Sequence, residues 1–344
     1  MVSIQCNKRL DYIDVCRAIG IIFVVLGHTY GIPYNLYLII FSFHMPFFFI
    51  LSGFVYNADK NQTMGFKKFA TRKVRQYIIP YYIFGILNLI FEIIWKLIIT
   101  KEVIDFSFLF YRVKGLILCT DDMSANGAPI WFLLCLFISG IIFFHIPRLR
   151  LKYQCITVVS LITIHYILIR FLGDYVTFIL GFPTIFISVF FIWIGYIFRM
   201  MFERKPLLFQ GTKCIVISIA LILISGFLVI ISQNRVNLRS NTYNNYLVFL
   251  IAAVAISTGL ICLVCNAKFL NTTFTRWLGK NTIYVIGCNY ICLYICTEIY
   301  YLIPVVKNYP IHWIISFLLT LVLCFACIVI CDKIKKLFQK QFRS

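Results

Sequence analysis

Acidic side chains are scarce in this chain, with 12 Asp and Glu against 32 Lys and Arg, and charged residues of both signs make up only 13% of its 344 positions. A soluble domain carries about 25% charge and about 45–50% apolar residues. Here 62% of residues are hydrophobic and the mean hydropathy is +0.92. So little charge cannot cover a water-facing surface, and the solvent for most of the chain must be lipid. Low-complexity tracts, internal repeats and polar appendages are missing as well. Short alternating segments of about ten residues, which a membrane β-barrel needs, are also missing. The sequence instead repeats apolar runs near 20 residues, the length that crosses roughly 30 Å of hydrocarbon as a helix.

The formal charge of +20 does not mark a nucleic-acid binder. The Lys and Arg residues sit in short loops between apolar runs, as the positive-inside rule places them, and form no groove that tracks phosphates. The 14 cysteines fall almost wholly inside apolar runs. The series Cys288, Cys292, Cys296 and Cys324, Cys327, Cys331, and the pair Cys262 and Cys265, read as small hydrophobes. Neither a metal site nor a structural disulfide is expected from them.

Ten spans can be drawn, at about 13–31, 35–57, 77–100, 129–146, 155–170, 178–198, 214–232, 245–265, 281–303 and 312–331. The first follows Lys8 and Arg9 as a signal peptide would, but it lacks a small-residue cleavage site and reads as a retained anchor. With the N-terminus inside, the inner loops and tail hold 24 of the 32 cations and the outer side holds eight. This bias predicts an all-α bundle of ten membrane helices with both termini cytoplasmic, forming one membrane domain over 1–344 in the cytoplasmic (inner) membrane. The longest outer segment, about 101–128, reads as a loop with Asp105, Asp121, Asp122 and Asn126.

Ionisable side chains inside such helices cost about 2.5–3.5 kcal/mol each on insertion scales, so they mark function. The first span holds Asp14, Arg17 and His28. The step from Arg17 to His28 ends about 20° from three full helical turns, and Asp14 lies three residues before Arg17. All three therefore share one face, with His28 about 16 Å further along the axis than Arg17. The second span places Ser42 and His44 near Pro46, and ends on the small pair Ser52-Gly53, which lets a neighbouring helix approach. Arg72 and Arg75 set two guanidinium forks three residues apart at the mouth of the third span, where they suit a phosphate or pyrophosphate or simply anchor the topology.

These residues occur as an ordered set: Tyr12-Ile13-Asp14-Val15-Cys16-Arg17, then Gly27-His28, then Phe43-His44-Met45-Pro46 running to Leu51-Ser52-Gly53. Arg72-x-x-Arg75 with Pro80-Tyr81, Trp131-Phe132 and Gly279-Lys280-Asn281-Thr282 complete it. The set resembles the membrane acyltransferase-3 family, most closely over the first eighty residues. The resemblance implies a ten-helix enzyme that takes an acyl group, usually acetyl, from cytoplasmic acyl-CoA as donor substrate. It implies transfer to a hydroxyl of a cell-surface polysaccharide or lipid-linked sugar. It further implies that His28 is catalytic, that Arg17 precedes it in that role, and that Arg72 and Arg75 meet the CoA phosphates. His44, Ser52, Trp131 and Asn289 would support the site or face the acceptor. Many members carry a histidine where this chain has Asn289, which can hydrogen-bond but cannot titrate.

A positioned imidazole can take the proton of a sugar hydroxyl as that oxygen attacks a thioester. Asp14 or a backbone carbonyl would orient His28, and Arg17 would stabilise an oxyanion or the CoA phosphates. No permanently bound cofactor or metal is expected. The competing reading is a transporter or flippase of a lipid-linked sugar. It shares the intramembrane charges but predicts repeated halves, which this sequence lacks.

Overall fold

A computed structural model describes residues 11–120, 129–171, 179–302 and 312–341, with side chains through 299 and from 312 to 333 in the last two stretches. Residues Lys8, Arg9, Asp121, Asp122 and Asn126, and the side chains of the cationic tail beyond Lys333, lie outside the described set. The ten apolar stretches fall on ten helices: α1 Asp11–His28, α2 Tyr34–Phe54, a helix from Phe66 to Thr100, and seven more. Among the described residues nine helices are long and apolar enough to cross a membrane. The 18-residue α1 is not one of the nine, because it carries Asp11, Asp14 and Arg17 within its length.

Local chemistry explains the breaks. After α1 the chain turns at Gly31, whose φ of +74° suits glycine, and Pro33 stands immediately before α2. A short helix α3, Ala58–Met64, is capped by Asn57, whose side chain accepts from the Lys60 amide at 2.8 Å. Then α4, Phe66–Lys73, runs through a π-turn at Val74–Ile78 into α5, Ile79–Trp95. The third span expected at 77–100 is thus the C-terminal part of a 35-residue helix that starts eleven residues earlier. Its first turns are amphipathic and cationic, so apolar run length alone could not mark their start.

The segment read as an outer loop contains a helix, α6, Phe106–Leu118. Asp105 caps it by accepting from the Phe108 amide at 2.8 Å. Beyond it come α7 Trp131–Phe143, α8 Leu151–Phe171, α9 Thr184–Arg204 and α10 Gly211–Ile231. A two-stranded hairpin follows, pairing Val236–Asn237 with Thr242–Tyr243. The chain ends in α11 Tyr246–Asn266, α12 Thr273–Lys280, α13 Thr282–Leu302 and α14 His312–Gln341. The fifth span, which looked short, is a full 21-residue helix.

Two glycine contacts fix the centre of the bundle. A Cβ on Gly53 of α2 would lie 1.8 Å from the Ile192 carbonyl oxygen of α9, and one on Gly195 of α9 would lie 1.9 Å from the Ile50 carbonyl oxygen of α2. The two backbones therefore cross in contact, as the Ser52-Gly53 pair predicts. At Gly279 a Cβ would lie 1.8 Å from the Asp14 carbonyl oxygen. The short helix α12 is thereby seated against the start of α1, an arrangement held also by Arg276 donating to Asp11 at 2.9 Å.

Candidate active site

Two cavities open toward opposite ends of α1. The first, of about 720 Å³, lies where α1 begins and α2 ends. Six cations border it: Arg17, Lys60, Arg72, Lys73, Arg199 and Lys280. Among the described residues lining it, Asp14 is the one carboxylate. Asp14 is fully buried and accepts from Arg17 Nη1 at 3.1 Å, which holds that guanidinium at the cavity wall. Arg72 donates to Asn61 Oδ1 at 2.7 Å. Arg199 donates to Glu203 at 2.7 Å and to the Phe54 carbonyl at 3.3 Å. An excess of fixed cations over anions in a part-buried cleft suits a polyanion.

The second cavity, of about 800 Å³, is bordered by His28, His44, Trp131 and Asn289 together with Arg112 and Arg239. His28 sits deep in the bundle, yet its ring is exposed to this space. Its centroid is 5.6 Å from the Phe41 ring and 6.1 Å from the His44 ring. His44 is buried, with Nδ1 2.7 Å from the Ile40 carbonyl oxygen. A carbonyl only accepts, so Nδ1 of His44 carries the proton and Nε2 is left as an acceptor. Asn289 is fully buried at the edge of the cavity.

The cavity roof is a loop tied down from afar. His165 of α8 lies 3.1 Å through Nε2 from Asn241 Oδ1 and 2.8 Å through Nδ1 from the Tyr246 hydroxyl. Thr184 donates both to Asn241 Oδ1 and to the Leu238 carbonyl at 2.9 Å. An amide oxygen accepts only, so His165 donates from Nε2 and accepts the Tyr246 hydroxyl at Nδ1. This buried network sets the hairpin so that Asn237, Arg239 and Ser240 face the cavity.

Along α1 between Arg17 and His28 the buried residues Ile21, Val24 and Val25 are apolar. Phe48 and Phe132, on the wall of the cationic cavity, pack edge to face at 5.8 Å. The face shared by Asp14, Arg17 and His28 therefore meets two separate spaces instead of one continuous polar seam. Asp14 is bonded to Arg17 at the cationic cavity, about 21 Å of helix rise from His28. It cannot orient the imidazole; among the described residues His28 has ring contacts only.

Of the residues singled out from sequence, His28, His44, Trp131 and Asn289 gather at one cavity and Asp14, Arg17, Ser52 and Arg72 at the other. Arg75 lines neither. It shares with Arg72, Lys67 and Lys68 a shallow groove of about 490 Å³ on the outside of α4. Sequence reasoning took Lys60, Lys73 and Arg199 only as topology-setting charges, and Lys280 only as part of the Gly279-Lys280-Asn281-Thr282 set. Two signals were present: Lys280 directly follows Gly279, and Arg199 lies one helical turn beyond Gly195, at the end of the glycine crossing. Nothing in the sequence pointed to Arg112 or Arg239, which reach the cavity from segments distant in the chain.

A family model described as an acyltransferase domain, that of the acyltransferase-3 family, matches residues 10–329, nearly the whole chain. Searches of curated proteins and of solved structures return no match. The matched region contains both cavities and every residue that borders them, so the chain is a multi-pass membrane protein that belongs to the acyltransferase-3 family.

Proposed function

We propose that this protein is an acyl-CoA:glycan O-acyltransferase of the cytoplasmic membrane, crossing it ten times with both termini inside. The donor, acetyl-CoA or another short acyl-CoA, binds in the cationic cavity. The acceptor, a hydroxyl of a cell-surface polysaccharide or lipid-linked sugar, enters the cavity at the other end. The observation that carries this reading is that Arg17 and His28 of a single helix border two different cavities. One is strongly cationic and one presents an exposed imidazole among aromatic side chains.

The phosphates of CoA suit Arg17, Arg72, Arg199 and the three lysines, because guanidinium forks and ammonium groups both pair with phosphate oxygens. The flexible pantetheine arm carries the thioester away from those phosphates and along α1 toward His28, past the Phe48 and Phe132 rings. A sugar hydroxyl at the outer cavity then attacks the thioester carbonyl as the neutral imidazole of His28 takes its proton. Collapse of the tetrahedral intermediate breaks the carbon–sulfur bond, and the imidazolium returns its proton to the leaving thiolate. Of the two roles open to Arg17, the phosphate role fits its place at the far cavity. Asp14 acts on Arg17, not on the imidazole.

His28→Ala should abolish acylation of the acceptor while the protein inserts in the membrane at normal level. Mass spectrometry of surface-glycan acetyl content in cells carrying wild type or variant tests this, and unchanged acetyl content would overturn the base role of His28.

A further inference from the structure

The amide of Asn289 is completely buried, and neither its nitrogen nor its oxygen has a hydrogen-bond partner, although the residue borders the outer cavity with His28 and His44. A buried polar atom left unmet costs about 1–3 kcal/mol. An asparagine kept at such a position with both functions unmet is poised for a ligand that satisfies both. Trp131, Tyr290 and Tyr294 stand around the same cavity, and their rings offer flat apolar faces to the C–H face of a sugar.

We propose that Asn289 reads the acceptor as a vicinal diol. Its N–H donates to one hydroxyl oxygen while its carbonyl accepts from the neighbouring hydroxyl, presenting one of the pair to His28. A carboxamide suits two adjacent hydroxyls because each hydroxyl both donates and accepts, so the pair can answer one donor and one acceptor at once. Asn289 is then a specificity-determining residue and makes no proton transfer of its own. This assignment rests on the acyltransferase reading above, and it fixes the acceptor as a sugar with an unsubstituted hydroxyl beside the one acylated.

The test uses the full-length protein in membrane vesicles, with labelled acetyl-CoA as donor and the cells' own envelope glycan, deacetylated by mild alkali, as acceptor. Asn289→Leu keeps the volume of the side chain and removes both polar functions. It should melt no lower than wild type, since an unmet amide is replaced by an apolar group. It should raise the KM for glycan about tenfold, with the KM for acetyl-CoA unchanged. Asn289→Ala should show the same split and serves if the leucine variant does not accumulate. As inhibitors of wild type, a methyl glycoside of the acylated sugar should bind about tenfold better than its deoxy analogue lacking the adjacent hydroxyl, and the variants should lose that preference. An unchanged glycan KM in both variants, or a rise in the acetyl-CoA KM instead, overturns the role of Asn289. Wild-type vesicles that transfer no acetyl group to the glycan would instead overturn the acyltransferase reading itself, and an active His28→Ala control would overturn only the base role of His28.

Discussion

Arg72 and Arg75 are the residues whose neighbours in the chain say one thing and whose surroundings say another. Three residues apart on one helix, they form a matched pair of forks. In the folded chain Arg72 borders the cationic cavity, while Arg75 opens only onto the groove outside α4. Arg199 and Lys280, which carry no such motif, border the cavity directly. Arg72→Ala, Arg199→Ala and Lys280→Ala should therefore each raise the KM for acyl-CoA about three- to tenfold with kcat nearly unchanged, since each removes binding to the donor that is the same before and during reaction. Arg75→Ala should change that KM less than twofold. Steady-state kinetics on membrane vesicles separate the four, and an Arg75 effect as large as that of Arg199 would return the phosphate contacts to the paired motif. Charge-mediated binding also predicts that added salt raises the wild-type KM and narrows the difference between wild type and these variants.

At the scale of elements, the site is set by backbone contacts that only glycine permits. Any side chain at Gly53 or Gly195 must push α2 and α9 apart, because the facing carbonyl oxygen lies under 2 Å from the position its Cβ would take. Overpacking of this kind costs about 1–3 kcal/mol, occasionally more. Gly195→Val should lower the melting temperature of the detergent-solubilised protein and reduce its accumulation in the membrane, as a thermal-shift assay on the purified protein would report. Gly279→Ala acts more locally. It moves α12 off the Asp14 carbonyl and carries Lys280 away from the donor cavity, so the KM for acyl-CoA should rise with a smaller loss of stability. These contacts also explain how much could be read beforehand. The Ser52-Gly53 pair announced a close helix approach, and run length marked the apolar stretches on which the long helices lie. The cationic start of the third long helix was missed because it is amphipathic. So was α6, because its aromatic and aliphatic positions are broken by Arg112, Lys114 and Gly115 and its cap is a single aspartate. The gathering of His28, His44, Trp131 and Asn289 needed four different helices to be placed side by side, which no spacing along the chain encodes.

For the whole molecule, two cavities toward opposite ends of α1 suit the proposed transfer across a membrane, in which donor and acceptor would reside on different sides. Phe48 and Phe132 stand on the wall of the cationic cavity, and both rings are nearly or fully buried. Phe132→Ala would remove an edge-to-face partner and open a void at the wall of the cationic cavity, at a cost of about 3–5 kcal/mol if the site does not collapse, which a lower melting temperature in a thermal-shift assay would report. Charge supports the proposed sidedness. Arg148, Arg150, Arg204, Lys205 and Lys213 lie at helix ends and the turns between them, at the same end as the cationic cavity, whereas Ser240 and Arg239 lie on the hairpin at the other. If the positive-inside rule holds for this chain, Lys60 faces the cytoplasm and Ser240 faces out. Lys60→Cys and Ser240→Cys, each made in the natural protein, give a direct measurement of this. The background is low because Cys16, Cys119, Cys135 and most other described cysteines are buried. A membrane-impermeant maleimide added to intact cells should label the Ser240→Cys protein above the parent level and leave the Lys60→Cys protein at that level until the membrane is permeabilised. The opposite pattern would invert the bundle and place the cationic cavity outside, where no cytoplasmic acyl-CoA could reach it.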